Sequence, residues 1–265
     1  MREADDLALI TSAAREVGQI AQDLRGQPRE VIDKPDGAGP VTDADLAVNA
    51  RLERLLCGAR PDYGWLSEES PPDAARLTAR RTFVVDPIDG TRAYIGSGPD
   101  WAHSIAVVED GQPIAGCVYL PDRALLYSAT RGAGAELNGQ PISATASADL
   151  NGARVLTNPG SLRAEHWRGG TPPIERHVRS ALAWRFCLVA EGAFDAMITL
   201  FPAWDWDIAA GALIAAEAGV LVTDRNGAPL SLNAKTPKAS GVVAAPPVLH
   251  AALTSRLTYS AKNPI

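Results

Sequence analysis

A pair of carboxylates, Asp86 and Asp89, follows a run of strand-forming residues and constrains this chain more than any other feature. Thr82–Val85 is short and β-branched, which predicts a buried strand that ends at Asp86. Pro87 fixes its own φ and holds Asp86 in an extended conformation, so the chain turns sharply and the two carboxylates can converge. The carbonyl of Ile88 is then free to act as a third oxygen ligand. The pattern predicts a cation site at the end of the strand.

The next two residues add an anion site beside the cation site. Gly90 permits close approach of the backbone, and Thr91 can begin a helix whose first peptide N–H groups point at an anion. A metal ion and a phosphate would then lie side by side. Taken alone, the sequence Asp-Pro-x-Asp-Gly is also typical of a polar surface turn.

Two further acidic segments stand beside apolar strand or helix ends. Glu68 and Glu69 follow an apolar pair of residues, and Asp207 begins an apolar helix. Considered singly, a Glu pair is typical of a solvated loop and a helical Asp is typical of an N-cap. Hard cations, however, need several oxygen ligands from separate segments, and three segments supply carboxylates here. The combination favours a divalent-metal site.

The overall charge excludes some classes of function. The 265 residues include 25 Lys and Arg against 31 Asp and Glu, which leaves a formal net charge of −6. Because nucleic-acid-binding proteins normally carry a basic stripe, no nucleic-acid polymer is expected as a partner. No apolar run is long enough to span a bilayer, and residues 1–26 lack the basic start of a signal peptide. A cytoplasmic protein without a membrane partner is expected.

Hydrophobic periodicity divides the chain into two halves of different character. The first half begins with two amphipathic helices, one ending near Gly26 and one capped by Thr42 or Asp43, with an exposed loop over 27–39 between them. A meander of antiparallel strands is predicted next, over 82–85, 104–108, 114–120, 125–129 and 133–137.

After residue 150 strands and helices alternate along the chain. A strand is predicted over 154–157, a helix over 172–180, a strand over 197–200 and a long apolar helix from Asp207 to about Ala218. The expected fold class is α/β, with an α+β domain over residues 1–148 and an α/β domain over residues 149–265.

Four motifs, in this order and spacing, resemble the inositol monophosphatase superfamily. They are Gly39-Pro40-Val41-Thr42-Asp43-Ala44-Asp45, Leu66-Ser67-Glu68-Glu69-Ser70, Asp86-Pro87-Ile88-Asp89-Gly90-Thr91 and Trp206-Asp207-Ile208-Ala209-Ala210-Gly211. The resemblance covers nearly the whole chain and implies a layered α/β/α/β/α sandwich, with most metal ligands in the first domain. It also implies a Mg²⁺-dependent, lithium-sensitive phosphomonoesterase that acts on a small phosphorylated substrate and forms a homodimer.

The resemblance assigns metal ligands residue by residue. One Mg²⁺ would be held by Glu68, Asp86 and the Ile88 carbonyl, a second by Asp86, Asp89 and Asp207, and a third, weaker ion would lie near Glu68. Two such ions can clamp the attacking and leaving oxygens of an in-line phosphoryl transfer.

The resemblance also assigns catalytic and phosphate-binding roles. Glu68 and Thr91, supported by Asp45, would orient and deprotonate the attacking water. The backbone amides of Gly90 and Thr91 would hold the phosphate. A phosphatase of the haloacid dehalogenase type is disfavoured, because Pro87 stands where that class carries its nucleophilic aspartate.

The substrate is less constrained than the chemistry. The segments 118–121, 126–129 and 186–192 resemble the 3′(2′),5′-bisphosphate nucleotidases, which convert adenosine 3′,5′-bisphosphate to AMP, and Lys34 is compatible with them. Arg185 could replace the lysine with which nucleotidases bind a second phosphate, although the serines of their Gly-Ser-Ser-x-Lys run are missing.

Two alternatives stay open. An inositol-1-monophosphatase often has an acidic residue near 197–200 for the ring hydroxyls, and here Thr199 or an apolar residue stands there. The other alternative is a catalytically silent relative that uses the same fold for binding or regulation. The presence of every proposed metal ligand argues against it.

Overall fold

The computed structural model describes residues 2–27, 30–34, 39–146 and 149–258. Within these ranges the chain forms six α-helices: α1 (Arg2–Arg25), α2 (Asp43–Ala59), α3 (Thr91–Ile95), α4 (Leu182–Ala190), α5 (Asp205–Glu217) and α6 (Pro247–Thr254). The two predicted amphipathic helices are confirmed. Thr42 caps α2 in a capping box: its hydroxyl accepts from the Asp45 amide, and the Asp45 carboxylate accepts from the Thr42 amide. No helix of the described ranges is both long and apolar enough to cross a membrane.

A short antiparallel pair, β1 (Val31–Asp33) and β2 (Pro40–Thr42), joins α1 to α2. The loop expected over 27–39 is exposed at Val31–Asp33 as predicted, but it forms a strand there, because two β-branched residues favour a strand over a loop. Residues 28–29 and 35–38 of the expected loop lie outside the described residues. The register places Val31 opposite Thr42 and Asp33 opposite Pro40. The pair brings Lys34 to the edge of the molecule that carries the Asp86 turn.

The larger sheet has seven strands, and the predicted meander is confirmed. Its members are β3 (Gly64–Ser67), β4 (Arg81–Asp89), β5 (Ala102–Glu109), β6 (Gln112–Leu120), β7 (Leu125–Thr130), β8 (Ala135–Leu137) and β9 (Gln140–Ile142), paired in that order. β3 runs parallel to β4, and every other pair is antiparallel. The expected end of β4 at Asp86 is wrong, because the strand continues through Asp89 with a shift of register.

The second sheet has five strands in the order β11-β10-β12-β16-β14. They are β10 (Arg154–Thr157), β11 (Glu175–His177), β12 (Ala196–Thr199), β14 (Leu221–Thr223) and β16 (Val242–Ala245). A separate two-residue pair is formed by β13 (Ala203–Trp204) and β15 (Lys238–Ala239).

The helix expected over 172–180 is wrong. Glu175–His177 forms β11, which runs parallel to β10. Pro172 and Pro173 explain the difference, since proline lacks an N–H donor and biases the residue before it towards extended backbone. The helix of this region is α4, which begins only at Leu182.

Three apolar clusters pack five layers together, and the middle cluster fills two of the four interfaces. One cluster joins α1 and α2 to one face of the seven-stranded sheet, through Val17, Leu52 and Phe83 among others. A second lies between the opposite face of that sheet, α4, α5 and the five-stranded sheet. A third packs α6 against the far face of the five-stranded sheet. The layered α/β/α/β/α sandwich is thereby confirmed.

The two larger sheets lie on either side of the proposed domain boundary at residue 148. The apolar cluster between them contains residues from both halves, including Val118 and Met197. A boundary between residues 1–148 and 149–265 remains a proposal.

Candidate active site

A cleft of about 500 Å³ lies where the carboxyl ends of β3 and β4 meet the starts of α3 and α5. It is lined by Lys34, Gly39, Pro40, Glu68, Asp86, Ile88, Asp89, Gly90, Thr91, Arg92, Ser180, Trp204, Trp206 and Asp207. Of the site residues predicted from the sequence, Asp45 and Arg185 are absent from this lining. All others are brought together, although they come from segments up to 173 positions apart, from Lys34 to Asp207.

The end of β4 is a bulge. Asp86 lies opposite Ser104 and Asp89 opposite Ala102, so β4 carries one residue more than β5 over this stretch. The Asp86 carboxylate accepts a hydrogen bond from the Ile88 amide at 2.9 Å, and the buried His103 ring donates through Nδ1 to the Pro87 carbonyl. These contacts hold both sides of the predicted turn.

Three carboxylates converge in the cleft: Glu68 after β3, Asp86 on β4 and Asp207 in the first turn of α5. One oxygen of each lies within 4.8 Å of the others. Burial, together with the charges of its neighbours Glu68 and Asp89, raises the pKa of Asp86 well above its ordinary value. The pKa of Asp207 is raised for the same reasons. The repulsion between like charges in a half-buried cleft is relieved only when some of the carboxylates are protonated or when a cation binds between them.

Asp89 has a different environment from these three. Its Oδ1 accepts a hydrogen bond from the Leu182 amide at 3.0 Å and its Oδ2 from the Ala183 amide at 2.6 Å, so it binds the N-terminus of α4. Burial raises the pKa of Asp89 to about 7, while the two amides act in the opposite direction. Asp89 links the cleft to α4.

The donor set fits a hard divalent cation. It consists of carboxylate and carbonyl oxygens, without His or Cys, which suits Mg²⁺, Ca²⁺ or Mn²⁺. Glu68, Asp86, Asp207 and the Ile88 carbonyl are placed to hold the ion, with Asp89 behind them. A bound ion would supply Lewis-acid stabilisation of phosphate oxygens.

Thr91 and Asp45 form a short relay beside the carboxylates. The Thr91 hydroxyl lies 3.1 Å from the Ile88 carbonyl and 3.4 Å from Asp45 Oδ1. Asp45 is held by the Thr42 amide at 2.8 Å and the Thr42 hydroxyl at 2.6 Å. Burial raises the pKa of Asp45. Because the hydroxyl donates to one of these oxygens, its own lone pairs are free to accept from a water in the cleft.

Gly90 is required by its position. Its φ is +91°, and a Cβ there would lie 2.9 Å from the Asp100 carbonyl oxygen. The residue precedes α3, whose first amides have no intrahelical partner. The backbone of Gly90 and Thr91 is therefore placed to bind an anion at the cleft floor.

Lys34 pairs with two carboxylates. Its Nζ lies 2.7 Å from Glu68 Oε1 and 2.6 Å from Glu69 Oε1. Burial lowers the pKa of Lys34 and the charge of Glu68 raises it, with a net rise. Burial raises the pKa of Glu69 to about 7. Lys34 therefore offsets part of the negative charge of the cleft.

Arg185 lies outside the cleft on α4. It is almost fully buried, and its guanidinium donates to the Arg179 carbonyl, at 2.8 Å from Nε. Burial lowers its pKa, while the charges of Asp89 and Asp207 act in the opposite direction. Contact between Arg185 and a substrate remains a prediction.

Four residues of the cleft region received no role from sequence reasoning: Arg92, Trp204, Trp206 and Lys238. The indole rings of Trp204 and Trp206 are stacked, with centroids 4.7 Å apart and planes 12° apart, and Lys238 Nζ lies 3.8 Å from the centroid of Trp204. The sequence did carry a signal for the two tryptophans, which flank Asp205 directly before a proposed metal ligand.

Comparison with known proteins shows the family to which the chain belongs. The model of the inositol monophosphatase family matches residues 3–261. The chain belongs to the inositol monophosphatase family. It is a metal-dependent phosphoric monoester hydrolase, and this family acts on small phosphorylated substrates.

Characterised relatives of this family member carry different names at similar identity. The 3′(2′),5′-bisphosphate nucleotidase CysQ of Escherichia coli K12 is 33% identical over 226 residues, 83% of this chain and 91% of that protein. The histidinol-phosphatase of Mycobacterium tuberculosis is 33% identical over 266 residues, 96% and 98% of the two chains. Inositol monophosphatase 2 of Solanum lycopersicum is 31% identical over 247 residues, 89% and 92%.

Solved structures agree on the fold. The extragenic suppressor protein suhB of Bartonella henselae superposes with a TM-score of 0.80 at 27% identity, covering 94% of this chain and 96% of that one. The fold and the reaction class are therefore shared, whereas the relatives differ in substrate.

Proposed function

We propose that the chain is a Mg²⁺-dependent 3′(2′),5′-bisphosphate nucleotidase that converts adenosine 3′,5′-bisphosphate to AMP. The observation that carries this proposal is the lining of the cleft beside the carboxylate cluster, which is cationic and aromatic: Lys34, Arg92, Trp204 and Trp206. Such walls suit a leaving group with a ring and a negative charge. The identity with CysQ supports the same substrate.

The proposed reaction uses the residues at the cleft floor. The amides of Gly90 and Thr91 bind the scissile phosphate, and Glu68 and Thr91 orient the attacking water and take its proton, with Asp45 holding the Thr91 hydroxyl. The water oxygen attacks phosphorus in line as the ester P–O bond breaks, and the leaving 3′ oxygen takes up a proton from solvent, which gives AMP and inorganic phosphate. We propose that two or three Mg²⁺ ions bind to Glu68, Asp86, Asp89, Asp207 and the Ile88 carbonyl.

An inositol phosphate is the alternative substrate. A polyol ring is bound best by acidic acceptors, and β12, where such a residue was sought, is buried throughout, with Thr199 only 6% exposed. Among the described cleft residues, the carboxylates are those of the cluster, which a metal would engage, and Asp89, whose two oxygens accept from amides of α4. The structure therefore favours the nucleotide over the polyol.

Phosphate release tests the proposal. The purified protein is assayed with Mg²⁺, with and without EDTA, on adenosine 3′,5′-bisphosphate, inositol 1-phosphate, histidinol phosphate and fructose 1,6-bisphosphate. We expect EDTA-sensitive release with the highest kcat/KM on the adenosine bisphosphate, and inhibition by Li⁺. A kcat/KM at least tenfold higher on inositol 1-phosphate would contradict the substrate assignment, and no release from any ester would favour a silent relative.

We also propose a cytoplasmic homodimer, on the resemblance alone. Light scattering coupled to size exclusion tests the assembly, and a single species of about 28 kDa, the mass of one chain, would contradict it.

A further inference from the structure

Four cations lie in or beside the cleft, and their surroundings differ. The ammonium of Lys34 is engaged by Glu68 and Glu69, and the guanidinium of Arg185 is buried against the Arg179 carbonyl. Lys238 rests on an indole ring, and Arg92 is exposed at the cleft rim.

Arg92 is the cation available to a ligand. Within the described part of the chain, its side chain makes no hydrogen bond or ion pair. It follows Thr91 directly, and its Nη2 lies 3.9 Å from the place a Cβ would occupy on Gly39, which also lines the cleft. An unpaired guanidinium next to the phosphate-binding turn is suited to a second anionic group on the same substrate.

The aromatic wall is a rigid column of three side chains. Rings only 4.7 Å apart leave no room between them, so Lys238 must cover the face of Trp204 opposite to Trp206. The antiparallel register of β13 and β15 places Trp204 directly opposite Lys238 and explains the contact. Both indoles line the cleft and are half-buried, and Trp206 is the one whose second ring face is covered by neither of the other two members of the column, so that face is the surface offered to a flat ring.

We infer that two parts of the cleft besides the carboxylate cluster bind the substrate: Arg92 binds a second phosphate, and the Trp204–Trp206 column binds an aromatic base. The inference rests on the proposed nucleotidase function and names its specificity residues. The ligand class is a nucleoside carrying two separate phosphates. A cleft of about 500 Å³ is within the usual range for a ligand of this size.

Two substitutions separate the two readings. Arg92→Gln should lower kcat/KM for adenosine 3′,5′-bisphosphate roughly tenfold more than for adenosine 3′-monophosphate, which lacks the second phosphate. Trp206→Leu should lower kcat/KM for both adenosine esters roughly tenfold relative to inositol 1-phosphate, and Trp206→Phe should recover most of the loss. Arg54→Gln removes the same charge from an exposed position on α2 and serves as the control.

Equal losses on the bisphosphate and the monophosphate in Arg92→Gln would overturn the role of Arg92. Equal losses on all three esters in Trp206→Leu would overturn the role of the aromatic column. A second measurement separates this inference from the proposed function. Adenosine 3′,5′-bisphosphate is mixed with the Mg²⁺-loaded protein by stopped flow over a range of concentrations, and tryptophan fluorescence is recorded before turnover consumes the ligand.

If the wild type binds the bisphosphate, and Arg92→Gln weakens that binding, the inference holds even where hydrolysis favours another ester. If the wild type hydrolyses the bisphosphate and the variants match it, the proposed function holds and the inference fails. Absence of saturable binding by the wild type would overturn both.

Discussion

Substitution of Gly211 by alanine should damage the active site from within the helical layer. Gly211 lies one turn after Asp207 on α5 and faces α4. A Cβ there would lie 2.8 Å from Phe186 Cδ2 and 2.9 Å from the Ala183 carbonyl oxygen. Because optimal non-bonded separations are ~3.5–4.0 Å, α4 must shift. The Ala183 amide binds Asp89, so the shift moves Asp89 relative to Asp207.

The magnitude follows from two opposing effects. Overpacking of a closed interface costs ~1–3 kcal/mol. Replacing glycine by alanine within a helix stabilises by about 1 kcal/mol. The free energy of unfolding of Gly211→Ala should therefore fall by about 1 kcal/mol, which corresponds to a Tm lower by ~2–4 °C.

Urea unfolding with and without Mg²⁺, together with calorimetric Mg²⁺ titration, measures both consequences. Gly58→Ala on α2 is the matched control, since a Cβ there meets nothing within 4 Å and the change should stabilise. We expect weaker Mg²⁺ binding in Gly211→Ala and unchanged binding in Gly58→Ala. If both variants gain stability equally and bind Mg²⁺ like the wild type, the close approach of α4 and α5 does not set the site.

Three further outcomes are expected. Asp207→Asn should raise the Tm of the metal-free protein at pH 8, because one charge leaves the cluster. The same substitution should abolish both the Mg²⁺-induced Tm shift and hydrolysis, and an unchanged Tm shift would exclude Asp207 as a ligand. The pKa values of Glu69 and Asp89 are raised to about 7, so the stability these groups contribute is present at low pH and lost as pH rises towards 7. Mg²⁺ should therefore raise the Tm more at pH 8 than at pH 5. Thermal scans at both pH values would show the opposite order if the cluster were already neutralised. His103 is fully buried and its pKa is lowered to about 4, so its contribution to the free energy of unfolding is present above pH 6.5 and is lost as pH falls towards 4, by roughly 3 kcal/mol in all. In urea unfolding, the stability of His103→Val should lack this part of the pH dependence. Parallel stability profiles of the wild type and the variant against pH would contradict the reasoning.

The elements predicted well are those with a local signal. The stripe of α1, the capping box of α2 and the hairpin of β5 and β6 each follow from residues a few positions apart. The helix α4 was missed because Ala183–Ala190 is buried throughout, and a short buried segment without a solvent-facing polar side is hard to distinguish from a buried strand. The proline pair before it was assigned to the helix instead.

The site divides in the same way. The carboxylates converge as their motifs indicate, because each follows a strand or begins a helix. The contact of Lys238 with Trp204 depends on two strands of two residues each, 34 positions apart in the chain, and no periodicity of the sequence indicates it. Arg92 was missed because the feature that makes it available to a ligand is the lack of a protein partner among the described residues, and a sequence does not show which side chains are unpaired.

The carboxylate cluster destabilises the metal-free fold, and each compensation for it is local and incomplete. Lys34 neutralises Glu68 and Glu69 at the rim, the α4 amides stabilise Asp89 and the Ile88 amide stabilises Asp86. Hydrogen bonds with the Asp86 side chain and the Trp204 backbone lower the pKa of Asp207, but burial and the charges of Asp89 and Glu68 outweigh them. Buried like charges persist when function requires them, and here one oxygen of each of Glu68, Asp86 and Asp207 still lies within 4.8 Å of the others. The unbalanced charge is therefore the property that makes the cleft a cation site, and the bound cation completes the electrostatic balance of the fold.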